Sequence, residues 1–253
     1  MILEMNFFSS ELQKETHVNV LIPPCPTYED GTYKVLWLFH GLSGDNTSWI
    51  RNSCIERYSK ERKIAVIMPD VDRSWYTNSA YGINYFDFLT RELPQVCYKH
   101  FRVFSEKRED NIVAGLSMGG YGALKVALTY PERYCACISL SGSVDITRKG
   151  LTYPLDEWRS IFGFGIESAL SLEGTEHDLF ALATRNKSEG RPNQKLYLWC
   201  GTEDGLLHSN DTFHQHLDSL SIPHVYEVSE GDHSWKWWDL HIQSGLDAVL
   251  CDN

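Results

Sequence analysis

No apolar run in this 253-residue chain approaches the length of about 18 residues that a membrane-spanning helix needs. Basic residues are scarce, 23 Lys and Arg against 34 Asp and Glu, for a formal charge of −11. Nothing in that balance would neutralise phosphates, so neither nucleic acid nor an anionic membrane is an expected partner. The opening stretch, MILEMNFFSSELQKE, lacks a basic segment followed by a long apolar one, and we expect no signal or transit peptide there. Cysteine is present but unpatterned: Cys25, Cys54, Cys97, Cys135, Cys137, Cys200 and Cys251 are odd in number and irregular in spacing. That argues against a disulfide framework and for reduced thiols in a cytoplasmic protein. Repeats, low-complexity tracts and linker-like composition are also missing. The chain therefore reads as one domain, residues 1–253, carrying one insertion at roughly 145–190.

What is present is a rhythm. With 42% hydrophobic residues the chain can bury a substantial core. Short apolar runs read as strands: HVNVLIPP, YKVLWLFHG, IAVIMPD, NIVAGLS, YCACISLSG, KLYLWCG and HVYEVSEG. Between them lie helical patterns, YFDFLTRELPQVCYKHF (with a kink or fresh start expected at Pro94), GGYGALKVALTYP, NDTFHQHLDSL and WKWWDLHIQSGLDAVL. Strands alternating with helices imply an α/β fold, a mostly parallel sheet with helices on both faces. Residues 145–190 are too long for a bare loop and are expected to form a short helical cover over the active-site edge.

At one strand-to-helix junction stands Gly115-Leu116-Ser117-Met118-Gly119. Gly-x-Ser-x-Gly in that context is the nucleophile-elbow pattern of serine hydrolases. A serine on so sharp a turn projects its hydroxyl clear of the sheet. Side chains two before and two after it would collide, and glycine avoids the clash. The hydroxyl needs a base, and the base needs an orienting acid, in the chain order Ser, Asp or Glu, His. KLYLWCGTEDGLL supplies Asp204 after a late strand, with Glu203, Asp211 and Asp232 as rivals. HVYEVSEGDHSWKWW supplies His233 after the last strand. Backbone N–H groups of Met118 and of Leu42, in FHGLSGDNTSW, are the expected oxyanion hole. Trp75, Tyr76 and Trp158 are the candidate substrate contacts. Trp235, Trp237 and Trp238 read as helix packing. Cys135 with Cys137, and His214 with His216, show no metal-ligand spacing, so no metal is expected.

These stretches resemble the esterase D superfamily of α/β-hydrolases, most of all its bacterial tributyrin-esterase branch. The carrying segments are LFHGLSGDNTSW, SWYTNSAYGINYFDFLTRELPQV, IVAGLSMGGYGALKVAL, LWCGTEDGLL and EGDHSWKWW, which span nearly the whole chain. The resemblance implies a short-acyl carboxylesterase that uses Ser117, Asp204 and His233, works without a cofactor and resides in the cytoplasm. The partner is then a small-molecule ester, and a homo-oligomer stays open. S-formylglutathione hydrolases of the same superfamily usually read Gly-Leu-Thr-Cys in the early loop, where this chain has Gly41-Leu42-Ser43-Gly44. An esterase of acetylated or feruloylated carbohydrates, an acyltransferase with the same triad, and a non-catalytic scaffold stay open beside it. Trp158, Phe162 and Phe164 in the insertion, facing Trp75 and Tyr76, lead us to expect a shallow acyl pocket.

Overall fold

The computed structural model describes residues 1–147, 155–163 and 169–250. Phe164, one of the rings expected at the acyl pocket, lies outside the described residues. Among those described, eight strands form one sheet: β1 (Ile2–Ser9), β2 (Lys14–Leu21), β3 (Lys34–Phe39), β4 (Ile64–Pro69), β5 (Asn111–Leu116), β6 (Ala136–Leu140), β7 (Lys195–Gly201) and β8 (His224–Ser229). Their order is β1-β2-β4-β3-β5-β6-β7-β8. From β4 to β8 all neighbours are parallel, while β1–β2 and β2–β4 are antiparallel.

The helices are α1 (Ser48–Asn52), α2 (Ile55–Arg62), α3 (Tyr85–Asp87), α4 (Leu93–His100), α5 (Met118–Thr129), α6 (Leu155–Phe162), α7 (Leu179–Ser188), α8 (Leu207–Ser219) and α9 (Trp235–Leu250). Strand residues alternate between two cores, one on each face. Val35, Trp37 and Phe39 of β3 meet Leu124 of α5 and Phe213 of α8 in one cluster. Leu36 and Leu38 meet Tyr58 of α2 and Ile242 of α9 in the other. This is the covered parallel sheet read from the apolar runs.

One difference from the sequence reading has a local cause. β1 went unread because it is an edge strand whose outward residues, Ile2, Glu4, Asn6 and Phe8, stay exposed, giving it no continuous apolar run. At Pro94, of the two outcomes expected, the fresh start is the one found. A π-helical turn over Phe88–Glu92 ends first, and α4 then starts with its proline in the first turn, where no N–H is missed. In the insertion, α7 begins at Asp178, whose carboxylate accepts the N–H groups of Phe180 and Ala181.

The strand order reverses between β3 and β5, and their carboxyl ends open a crevice there. Open α/β sheets bind ligands at such a point.

Candidate active site

Ser117 joins β5 to α5 with φ +54° and ψ −119°, a left-handed conformation that a non-glycine residue adopts only when its surroundings enforce it. The enforcement is visible in the flanking glycines. A Cβ on Gly115 would lie 2.3 Å from the Gly119 carbonyl oxygen, and one on Gly119 would lie 2.6 Å from the oxygens of Phe39 and His40. The bend thus requires bare backbone on both sides of the serine, as the elbow pattern implied.

The Ser117 hydroxyl lies 2.9 Å from His233 Nε2, and His233 Nδ1 lies 2.8 Å from Asp204 Oδ2. A carboxylate only accepts, so Nδ1 carries the proton and Nε2 turns its lone pair to the serine. The Asp204 side chain is buried, and its other oxygen accepts the Leu206 N–H at 2.9 Å. Burial pushes the Asp204 carboxyl up, but bonds from His233, the Leu206 N–H and the Ser141 hydroxyl outweigh it and hold the group below the usual carboxylate range. Two of the rivals are engaged elsewhere. Asp211 accepts the Tyr226 hydroxyl and Asp232 accepts the Ser234 hydroxyl.

Ser141 is a supporting residue that the sequence reading missed. It follows β6 with φ +47° and receives the Trp238 indole N–H at 3.0 Å, and its hydroxyl adds to the groups that hold the Asp204 carboxyl below its usual range. A lone serine after a strand carries no signal of this role. Only the sheet order, with β6 beside β7, brings it under the acid.

Neither the Leu42 nor the Met118 N–H has a hydrogen-bond partner among the described residues. The Gly41–Leu42 peptide is clamped from its carbonyl side. His40 Nδ1–H donates to Gly41 O at 2.7 Å, and the Val71 N–H fixes that tautomer by donating to His40 Nε2 at 3.1 Å. The Tyr76 hydroxyl holds the His40 carbonyl at 2.8 Å.

A cleft of about 510 Å³ opens over Ser117 and His233. Its polar wall includes Asp45, Ser48, Arg51 and Asn52, and Trp235 and Trp238 close the far side. Those two tryptophans, read as helix packing, therefore also face the site. Trp75, Tyr76 and Trp158 do not line this cleft; their exposures are 0%, 0% and 3%. Tyr76 stacks on Phe39 with centroids 4.8 Å apart, and Trp75 sits edge-on to Trp158 at 5.2 Å. Direct substrate contact at these three positions gives way to a packed aromatic layer beneath the insertion. Tyr76 reaches the site through the His40 carbonyl instead.

Comparison with known proteins agrees with this geometry. The Esterase family model, described as "Putative esterase", matches residues 9–248. The chain belongs to the esterase family. It has the α/β-hydrolase fold of the esterase D type and is a carboxylester hydrolase. It is 30% identical to an acetyl esterase of Caldicellulosiruptor saccharolyticus over 97% of each chain. Among solved structures it resembles FphF, a fluorophosphonate-binding serine hydrolase of Staphylococcus aureus, with TM-score 0.90 and 33% identity, covering 100% of this chain and 99% of that one. It also resembles the S-formylglutathione hydrolase FrmB of Staphylococcus aureus, with TM-score 0.88 and 33% identity over 99% of both chains. No helix among the described residues is long and apolar enough to cross a membrane.

Proposed function

We propose that this esterase cleaves short-acyl carboxylic esters through an acyl-enzyme on Ser117. The observation that carries the reading is the continuous relay from Ser117 through His233 to Asp204, at 2.9 and 2.8 Å. His233 Nε2 takes the hydroxyl proton as Ser117 Oγ attacks the ester carbonyl. Asp204 holds the ring and stabilises the imidazolium. The N–H groups of Leu42 and Met118 receive the oxyanion, at the N-terminus of α5 where the helix dipole favours negative charge. His233 then protonates the leaving alcohol, and water repeats the sequence on the acyl group.

The acetyl esterase relative supports a small acyl group, as does the resemblance to the tributyrin-esterase branch. Asp45, Arg51 and Asn52 in the cleft favour an ester with a polar alcohol portion over a triglyceride. Carbohydrate acetates fit that description. S-formylglutathione is the second reading, favoured by the 33% identity to FrmB and opposed by Ser43-Gly44 in the early loop. We assign the whole chain to one catalytic domain in the cytoplasm. The described cysteines, Cys97, Cys137 and Cys200 buried among them, are all free thiols, in keeping with that compartment.

The test compares kcat/KM for p-nitrophenyl acetate, an acetylated xylo-oligosaccharide and S-formylglutathione. Short-acyl oxygen esters should lead. A thioester preference of about 100-fold or more would replace the first reading by the second.

A further inference from the structure

At the end of β8 remote from the triad, a second histidine cluster joins α8 to the sheet. His214 and Asp218 stand four residues apart on α8, hence on one face of it, and His224 opens β8 beside them. His214 Nδ1 lies 2.7 Å from His224 Nε2. Asp218 Oδ2 lies 3.4 Å from His214 Nε2, and Asp218 Oδ1 lies 3.9 Å from His224 Nε2. One ligand atom from each of the three lies within 4.8 Å of the other two. The sequence pairing of His214 with His216 pointed away from a metal. The tertiary structure gives His214 different partners, while His216 turns to the Phe180 carbonyl.

We propose that His214, Asp218 and His224 form a binding site for a divalent transition ion of the zinc type, one that pins α8 to β8. Two imidazoles and a carboxylate suit zinc, nickel or copper rather than calcium or magnesium, which take oxygen ligands. The site is prepared on its buried side. The His224 side chain is 3% exposed, and its Nδ1–H donates to the Ile222 carbonyl at 2.8 Å. That bond fixes the tautomer and leaves Nε2 as the ligating atom, the usual outer-shell arrangement of a metal-bound histidine. Tyr226 packs against the His214 ring at 4.7 Å and is itself tied to Asp211. The outer side is open, since the Asp218 side chain is 63% exposed, so a water can complete a four-coordinate shell.

His224 gives its Nδ1–H to Ile222, so the proton between the two rings is the one on His214 Nδ1. On binding, the ion takes its place between Nδ1 of His214 and Nε2 of His224, and the displaced proton moves to Nε2 of His214, beside Asp218. At metal–nitrogen distances of about 2.0–2.1 Å, a tetrahedral angle puts the two nitrogens roughly 3.3 Å apart, so His214 swings outward by about 0.6 Å. It is partly exposed and has room to do so. β8 separates this cluster from His233, and its six residues span about 17 Å, so the ion takes no part in ester cleavage.

The experiment uses untagged, chelator-treated full-length protein titrated with Zn²⁺ and, separately, Co²⁺. Wild type should bind one equivalent at micromolar or tighter affinity, show the visible absorption of four-coordinate cobalt, and gain thermal stability with Zn²⁺. His214→Ala, on the partly exposed side, should weaken binding at least about 10-fold and lose the cobalt spectrum. Asp218→Asn should weaken it several-fold, and His224→Gln should match His214→Ala. Esterase turnover of metal-free and loaded wild type should be equal. Identical titrations for wild type and His214→Ala, or no binding up to about 100-fold excess of either ion, would overturn the site and leave the proposed esterase reaction untouched.

Discussion

Gly115 and Gly119 stand face to face across the elbow, so close that a Cβ on Gly115 would lie 2.3 Å from the Gly119 carbonyl oxygen. Backbone, unlike the end of a side chain, cannot turn aside. Gly115→Ala should therefore strain the junction that presents Ser117, costing about 2–3 kcal/mol as an overpacking defect. Thermal denaturation and turnover should fall together. A variant with the wild-type midpoint and full activity would show that the elbow relaxes freely.

Ser117→Ala should retain the fold and lose essentially all turnover, and Asp204→Asn should lose about 10⁴-fold in kcat by presenting the wrong histidine tautomer. Ser141→Ala is the informative intermediate. It removes a hydroxyl that favours the ionised form of Asp204 and strands the Trp238 indole N–H, so kcat should drop about 10-fold with KM little changed. Circular dichroism on all three separates chemistry from folding. If Ser117→Ala kept more than a few per cent of activity, another nucleophile would have to be sought.

Lys125 supplies a pH test. It is buried on α5, two turns beyond Ser117, with its Nζ 2.6 Å from Thr77 Oγ1 and 3.2 Å from the Tyr76 carbonyl. Burial pushes its pKa down, Glu176 partly opposes this, and the result is about 7. The unfolded chain keeps this lysine protonated up to an ordinary value of about 10.4. Between those two values the unfolded state binds the extra proton, so stability rises with pH, by up to about 1.4 kcal/mol per unit. The advantage of wild type over Lys125→Met should therefore grow from pH 7 to pH 9. Urea denaturation at pH 7, 8 and 9 checks this, and parallel stability curves would contradict it.

Acyl length should matter sharply. The insertion lays Trp158 against Trp75 and Phe162, a packed aromatic layer rather than an open channel. Each methylene that fits adds about 0.8 kcal/mol of binding, and the trend reverses once the space is full. Measured kcat/KM should favour acetate and butyrate esters over octanoate and palmitate. A rate still climbing beyond octanoate would point to a lipase groove instead.

The sequence by itself determined the sheet and the candidate reacting groups. Buried parallel strands must be apolar on both faces, so β3 to β7 announce themselves as runs, and the elbow bend tolerates only glycine beside Ser117. Chain order then leads to Asp204 and His233. Tertiary structure decided everything that depends on neighbours distant in the chain. Ser141 reaches Asp204 because β6 lies next to β7, and the Gly41–Leu42 peptide is aimed by His40 and Tyr76. Trp75 and Tyr76 are buried rather than presented to substrate, for a ring after a strand carries no mark of which way it packs. His224 meets His214 and Asp218 only because the chain turns back from α8 into β8. Periodicity encodes which face of an element is apolar. It does not encode which polar groups two such elements bring together, and in this enzyme those meetings hold Asp204, the Gly41–Leu42 peptide and the histidine cluster in place.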